Sequence, residues 1–299
     1  MNDFNVNDPE YAAFGPWIIP IKKAEQLPPR FVDAVDMTID YDYIFKVPRS
    51  VDRRDVRPGM DMYDAVVGLK DTTLSVYERN DTQITGYTVN IDEICSIVVH
   101  QNLLSGHLYL YSAHKMFTIP FNTVSLGEIN VLVKLIRDRY TLGKKTFQMN
   151  HLPEESIHAL DHYYKNEWRG LKSEEADLSL LAMQPITKLS YKSDHIVKKF
   201  LNRLSRSHIK SSLYMTNGRE LILSKNGEDF ARFRKADYSI SKTYIPFNNI
   251  EKISTDTFDT LEEVNQLTFT VGENNFSFLF HESNPYLKHI YENMQQICV

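Results

Sequence analysis

Apolar and polar side chains alternate along much of residues 63–121 and again along 211–280, the pattern of strands with one buried face. In the first stretch, "YDAVVGLKDTTLSVYE" predicts two strands split by a hairpin turn at Gly68-Leu69-Lys70-Asp71. Further strands are expected at Ile84 to Ile91, at Ile94 to Val99, in "HLYLYS" and in "KMFTIPF". The period then changes. Leu126, Ile129, Leu132, Val133 and Ile136 form one helical stripe, with Ser125 and Glu128 spaced as a capping box and Gly143 as a stop.

The second stretch repeats the plan. "SSLYMT", "ELILS", "TYIPF", "IEKIS", "QLTFTV" and "NFSFLF" read as strands, separated by turn material such as Asn217-Gly218 and Asn226-Gly227. A last helix follows, with Asn284 as cap and Pro285 in the first helical position, where its missing N–H costs nothing. Leu287, Ile290, Tyr291 and Met294 share its apolar face.

"IPFN" occurs at 119–122 and at 245–248, but superposing the copies would set the helix after Ser125 on the strand "IEKIST". Matching by order works better. "VNIDEICSI" (89–97) then lies over "IPFNNIEKI" (245–253), and "LYLYSAHKMFTIPF" (108–121) lies over "LTFTVGENNFSFLF" (267–280), each followed by a capped helix. The expectation is a duplication in which the repeated tetrapeptide is coincidental.

Residues 1–30, broken by five prolines, read as an extended arm whose apolar patch Trp17-Ile18-Ile19 docks on a neighbour. Residues 144–209 read as helical, with Ile157, Leu160, Tyr164 and Trp168 at helical spacing, Gly170 as a stop, and a second helix from Ser193 through Leu204. The predicted organisation is an arm over 1–58, a first unit over 59–143, a helical connector over 144–209 and a second unit over 210–299.

Short antiparallel strands closed by one amphipathic helix resemble the pleckstrin-homology-like (PH-like) domains, including the bacterial PH-like and GRAM-like families. The resemblance covers about residues 60–140 and 210–299 and rests on element order. It implies an α+β, mainly β fold of two tandem, partly open antiparallel barrels, each plugged by its C-terminal helix. It also implies a binding or scaffold role toward a protein or peptide, expected through an exposed sheet edge or the groove beside the terminal helix, or toward lipid headgroups. Headgroup-binding members carry spaced basic residues around the first hairpin; here the turns offer Lys70 and Arg219.

Composition narrows the function classes. A net charge of −5 argues against nucleic acid as a partner, and Cys95 and Cys298 are too few for a disulfide framework or a zinc site. With no signal-like leader and no run of 18 apolar residues, the expected location is cytoplasmic, or peripheral at the inner membrane face. Nucleophile elbows, phosphate loops and dinucleotide fingerprints are missing, so a non-enzymatic protein without cofactor or metal is predicted, with an enzyme of unrecognised type, its catalytic residues converging from distant positions, as the lesser alternative.

Two basic clusters are candidate contacts for anions or lipid. Arg49, Arg53, Arg54 and Arg57 could clamp phosphate or carboxylate, or pair with Asp52, Asp55, Asp61 and Asp64. Lys198, Lys199, Arg203 and Arg206 belong to a basic segment, 188–210, that could lie on anionic lipid or form a solvated helix face. His158 and His162, at i and i+4, read as surface histidines, and the acidic series Asp33, Asp36, Asp40 and Asp42 lacks the glycine turn of a calcium loop.

Overall fold

The computed structural model describes residues 15–191, 208–227, 229–231, 238–259 and 261–298. They form a mainly β, α+β chain of antiparallel sheets with a C-terminal helix, and none of the sheets closes into a barrel. Two units partition the chain: residues 1–94, 104–108 and 119–140 form the first, and 95–103, 109–118 and 141–299 the second.

The first unit holds a five-stranded antiparallel sheet in chain order: β1 (Ile19–Pro20), β2 (Tyr43–Pro48), β3 (Tyr63–Lys70), β4 (Thr73–Asn80) and β5 (Gln83–Asn90). Two-residue turns, Asp71-Thr72 and Asp81-Thr82, join β3 to β4 and β4 to β5. Each begins with an aspartate at φ 49°, a left-handed conformation that aspartate tolerates. The predicted turn around Gly68 is therefore displaced toward the C-terminus. Gly68 stays inside β3, where the ring of Tyr41 lies against it; a β-carbon there would sit 2.6 Å from that ring.

Strand β2 lies within the expected arm. Four of its six residues are buried, and among them is Lys46, whose ammonium donates to the Gln26 carbonyl at 2.9 Å and lies 4.2 Å from the centre of the Tyr63 ring. Other described residues of the arm pack on one face of the sheet. Leu27, Phe31 and Val35 form a cluster with Ile44 and Val66, against which Tyr77 and Ile84 pack. In the docking patch, Ile18 is buried and its N–H donates to Ser125 Oγ at 2.7 Å, while Trp17 remains half exposed.

Strands β6 (Ile94–Asn102), β7 (Ser105–Ser112) and β8 (Met116–Asn122) precede helix α1 (Leu126–Tyr140), which buries Ile129, Leu132, Val133 and Ile136 as its stripe predicts. Each such side chain contributes roughly 1.5–3 kcal/mol relative to exposure. The predicted capping box does not form. A 3-10 turn, Thr123–Ser125, precedes α1, so Asn122 caps by accepting the Val124 N–H at 3.2 Å. Ser125 is spent on the arm, and the Glu128 carboxylate accepts from the Tyr43 hydroxyl.

In the second unit, helix α2 (His162–Glu174) is preceded by a 3-10 turn over Glu154–Ala159 and capped by Asp161, whose carboxylate accepts the Tyr164 N–H. The helix runs through Gly170 to Glu174, beyond the predicted stop. After it comes β9 (Ser179–Gln184), a strand where helix was expected; the expected helix from Ser193 lies outside the described residues. Short strands β10 (Thr187–Lys188), β11 (Ser190–Tyr191) and β12 (His208–Ile209) follow.

Next come β13 (Ser212–Thr216), β14 (Glu220–Asn226), β15 (Phe230–Ala231) and β16 (Ser239–Pro246), then β17 (Lys252–Thr257), β18 (Leu261–Glu262), β19 (Val264–Val271) and β20 (Asn274–His281). The largest sheet has the order β8-β7-β6-β16-β14-β13-β9, and β17-β19-β20 form another. Within the large sheet β16 pairs antiparallel with β6, from Ser239 opposite Asn102 to Tyr244 opposite Ile97.

Helix α3 (Pro285–Gln295) closes the chain as its capping chemistry predicts. Asn284 accepts the Tyr286 N–H and donates to Met183 O and Gln184 Oε1. Ile290 and Met294 enter a core with Leu221, Phe247, Phe269 and Phe280. The two IPFN copies stand in different places. The first ends β8 before a helix; the second ends β16 and enters a 3-10 turn before a strand.

Candidate functional site

The arginine cluster lies between β2 and β3 and is threaded with carboxylates. Arg49 Nε is 3.5 Å from Asp64 Oδ1 and its Nη1 donates to the Asp61 carbonyl, while Asp64 also holds Arg79 at 2.7 Å. Arg54 pairs with Asp52 at 2.7 Å on the open surface, which holds the Asp52 carboxyl below its usual range. Arg53 and Arg57 are exposed. Asp55 N–H caps back onto the Asp52 carbonyl, so these groups also brace the loop on itself. Arg49 and Arg54 have thus taken the ion-pairing role that the sequence offered as the counterpart to an anion clamp.

Beside this loop is a groove of about 380 Å³ lined by Leu27, Pro29, Phe31, Met60, Met62 and Tyr63, among others. Its charged wall is closed by Arg30, whose Nε is 2.8 Å from Asp61 Oδ2 and whose Nη1 donates to the Asp81 carbonyl. Of the second basic cluster, Lys198, Lys199, Arg203 and Arg206 lie outside the described residues.

Two members of the acidic series serve structure. Asp42 accepts Arg139 at 2.9 Å and the Asp71 N–H at 2.7 Å, tying α1 to a hairpin turn, and Asp36 accepts the N–H and hydroxyl of Thr38. His158 and His162 do not share a helix turn, because Asp161 starts a new helix between them. Among the described residues no cluster of three His, Cys, Asp or Glu is placed to hold a metal ion. Cys95 is half buried, its thiol donating to the Tyr111 carbonyl at 3.2 Å, and burial raises its pKa.

Two surface features were not placed by sequence reasoning, which expected an exposed sheet edge without naming its strand. The first is the edge of the five-stranded sheet. β5 is the last strand in its order, and five of its eight residues are exposed. Its sequence, "QITGYTVN", has no charge and no proline, the usual protections of a bare edge. The second is the turn between β6 and β7, which consists of Leu103 and Leu104, exposed by 66% and 65%. Leu103 has φ 53°, a conformation that Asp71, Asp81 and Gly272 supply at the same place in three other hairpins. Half-exposed Val124 follows Thr123, whose N–H donates to the Leu104 carbonyl at 3.0 Å.

Compared with models of protein families and with curated proteins, the chain matches none. Of the described helices, none is long and apolar enough to cross a membrane.

Proposed function

We propose that the protein is a non-enzymatic binding module, made of two PH-like copies, that recognises an extended segment of a protein or peptide partner. The carrying observation is β5, a fully formed edge strand left exposed and without charge. Main-chain groups on such an edge supply affinity through strand addition, and alternate side chains supply selectivity.

The duplication is supported by order. A strand leads into a 3-10 turn with a fully buried first residue at both β5-Ile91 and β16-Phe247; three strands and a capped helix follow the first, and three long strands, with the two-residue β18 among them, and a capped helix follow the second. In both units a segment earlier in the chain also contributes buried apolar side chains: the arm through Leu27 and Phe31, and α2 through Tyr164 and Trp168.

Panning a random peptide display library on the full chain tests the reading. Enrichment of β-forming sequences is expected; a library that emerges unselected overturns it.

A second reading, a peripheral membrane module, is favoured by the leucine turn, because a strained turn that presents two large apolar side chains suits insertion between lipid headgroups. On that reading the protein sediments with anionic vesicles and Leu104→Asp releases it. Equal recovery in the supernatant with and without vesicles ends it.

A further inference from the structure

We propose that the outer edge of β5 takes up a partner peptide as a sixth strand, and that this peptide has an uncharged, β-forming centre with basic residues at both ends. The proposal rests on the peptide-binding reading above and names its site and the chemistry of its ligand.

The ladder fixes which backbone groups are offered. The two-residue turn makes Asn80 and Gln83 a hydrogen-bonded pair, so in the antiparallel register Thr85, Tyr87 and Val89 also bond toward β4. Ile84, Gly86 and Thr88 therefore turn their N–H and C=O groups outward. Gly86 and Thr88 are exposed. At Gly86 the missing side chain leaves room for the Tyr77 ring, which a β-carbon there would approach to 3.1 Å.

The second unit already uses the corresponding edge. β16 occupies the same place in chain order, directly before a 3-10 turn, and along its outer edge it carries β6 in an antiparallel ladder from Ser239 to Tyr244. That pairing leaves β16 largely buried, whereas β5 is largely exposed. A strand is thus the natural complement of this edge in this chain.

Charge selects the partner. Asp81 stands exposed at one end of β5 and Asp92 and Glu93 at the other, with Glu78 on the neighbouring strand. The nearby cations are engaged: Arg79 by Asp64, and Arg30 by Asp61. A second copy pairing antiparallel through β5 would set Asp81 against Asp92 and Glu93, which like-charge repulsion opposes. A peptide with basic ends gains at both.

The probe is a fluorescent synthetic peptide of alternating valine and threonine with lysine at each end, titrated with the full chain and read by anisotropy. Saturable binding is expected, at least tenfold weakened when the end lysines become glutamates or when alternate peptide nitrogens are methylated. Thr88→Pro deletes an outward N–H and leaves the β4 ladder intact; it is expected to weaken binding at least tenfold. Thr88→Lys, which sets a like charge on an exposed position, should do the same and decides the matter if the proline variant fails to fold. No binding by the lysine-ended peptide, equal binding by the glutamate-ended one, or undiminished binding by Thr88→Lys overturns the proposal. Should panned peptides bind Thr88→Lys as tightly as the parent chain, the edge is wrong while the broader peptide-binding reading stands.

Discussion

Phe247→Ala is expected to cost about 3–5 kcal/mol of unfolding free energy, the range for truncating a large buried aromatic. Phe247 is fully buried, meets the Phe147 ring edge-on at 5.7 Å, and sits in one cluster with Phe269, Phe280, Ile290 and Met294. Sheet strands and helix α3 converge on this side chain, so they cannot collapse into the space it leaves without moving several rigid elements. With total stabilities of roughly 5–15 kcal/mol, a loss of that size is a large fraction of the whole. Urea denaturation followed by circular dichroism reads it as a fall in midpoint. Phe247→Leu, which keeps most of the volume, should cost clearly less. A midpoint unchanged by the alanine variant would mean that the 3-10 turn Phe247–Asn249 does not plug the core.

The second large effect is electrical. Lys242 on β16 is 2.9 Å from Glu167 on α2, with side chains only 19% and 15% exposed. Ser224 Oγ also donates to Glu167. Glu167→Ala strands a mostly buried ammonium, and about 2–4 kcal/mol is expected, below the fully buried case because some solvent reaches the pair. Replacing both partners, as in Glu167→Leu with Lys242→Met, should restore most of that loss, since neither charge then needs desolvating. If the double variant is no more stable than Glu167→Ala, the pair is not what holds α2 to β16.

The pair carries a pH signature. Burial alone would lower the Lys242 pKa, but Tyr244 and Glu167 outweigh it and hold it above the usual 10.5. A base whose folded pKa is raised stabilises fully below its unfolded pKa and loses that contribution as pH rises through the folded value. Tyr163, pushed up to about 12 by burial, acts in the same direction. The parent chain should therefore lose stability above about pH 10.5 more steeply than the double variant does.

Local chemistry was legible in the sequence where it is self-contained. Asn284 and Pro285 announce α3 because capping needs only neighbouring atoms, and the stripe Ile129 to Ile136 announces α1 because a helix repeats its own geometry. β2 was hidden by Lys46, which breaks an apolar run when read as a charge but reaches the Gln26 carbonyl in space. β9 was hidden for another reason: the middle four residues of "SLLAMQ" are all apolar and all good helix formers, so period cannot separate a buried strand from a buried helix. Ser125 read as a cap because the arm that takes its hydroxyl lies more than a hundred residues away. The site follows the same rule. β5 was recognised as a strand from its own residues, but that nothing pairs with its far side among the described strands is a property of the assembled sheet.

The ladder between β6 and β16 also sets a timetable on the ribosome. Some 140 residues separate Asn102 from Ser239, so at roughly 5–20 residues per second β6 is made about 7–30 s before β16 exists. During that interval the side of β6 turned away from β7 has no native partner, and slow translation would lengthen its vulnerability to misassembly.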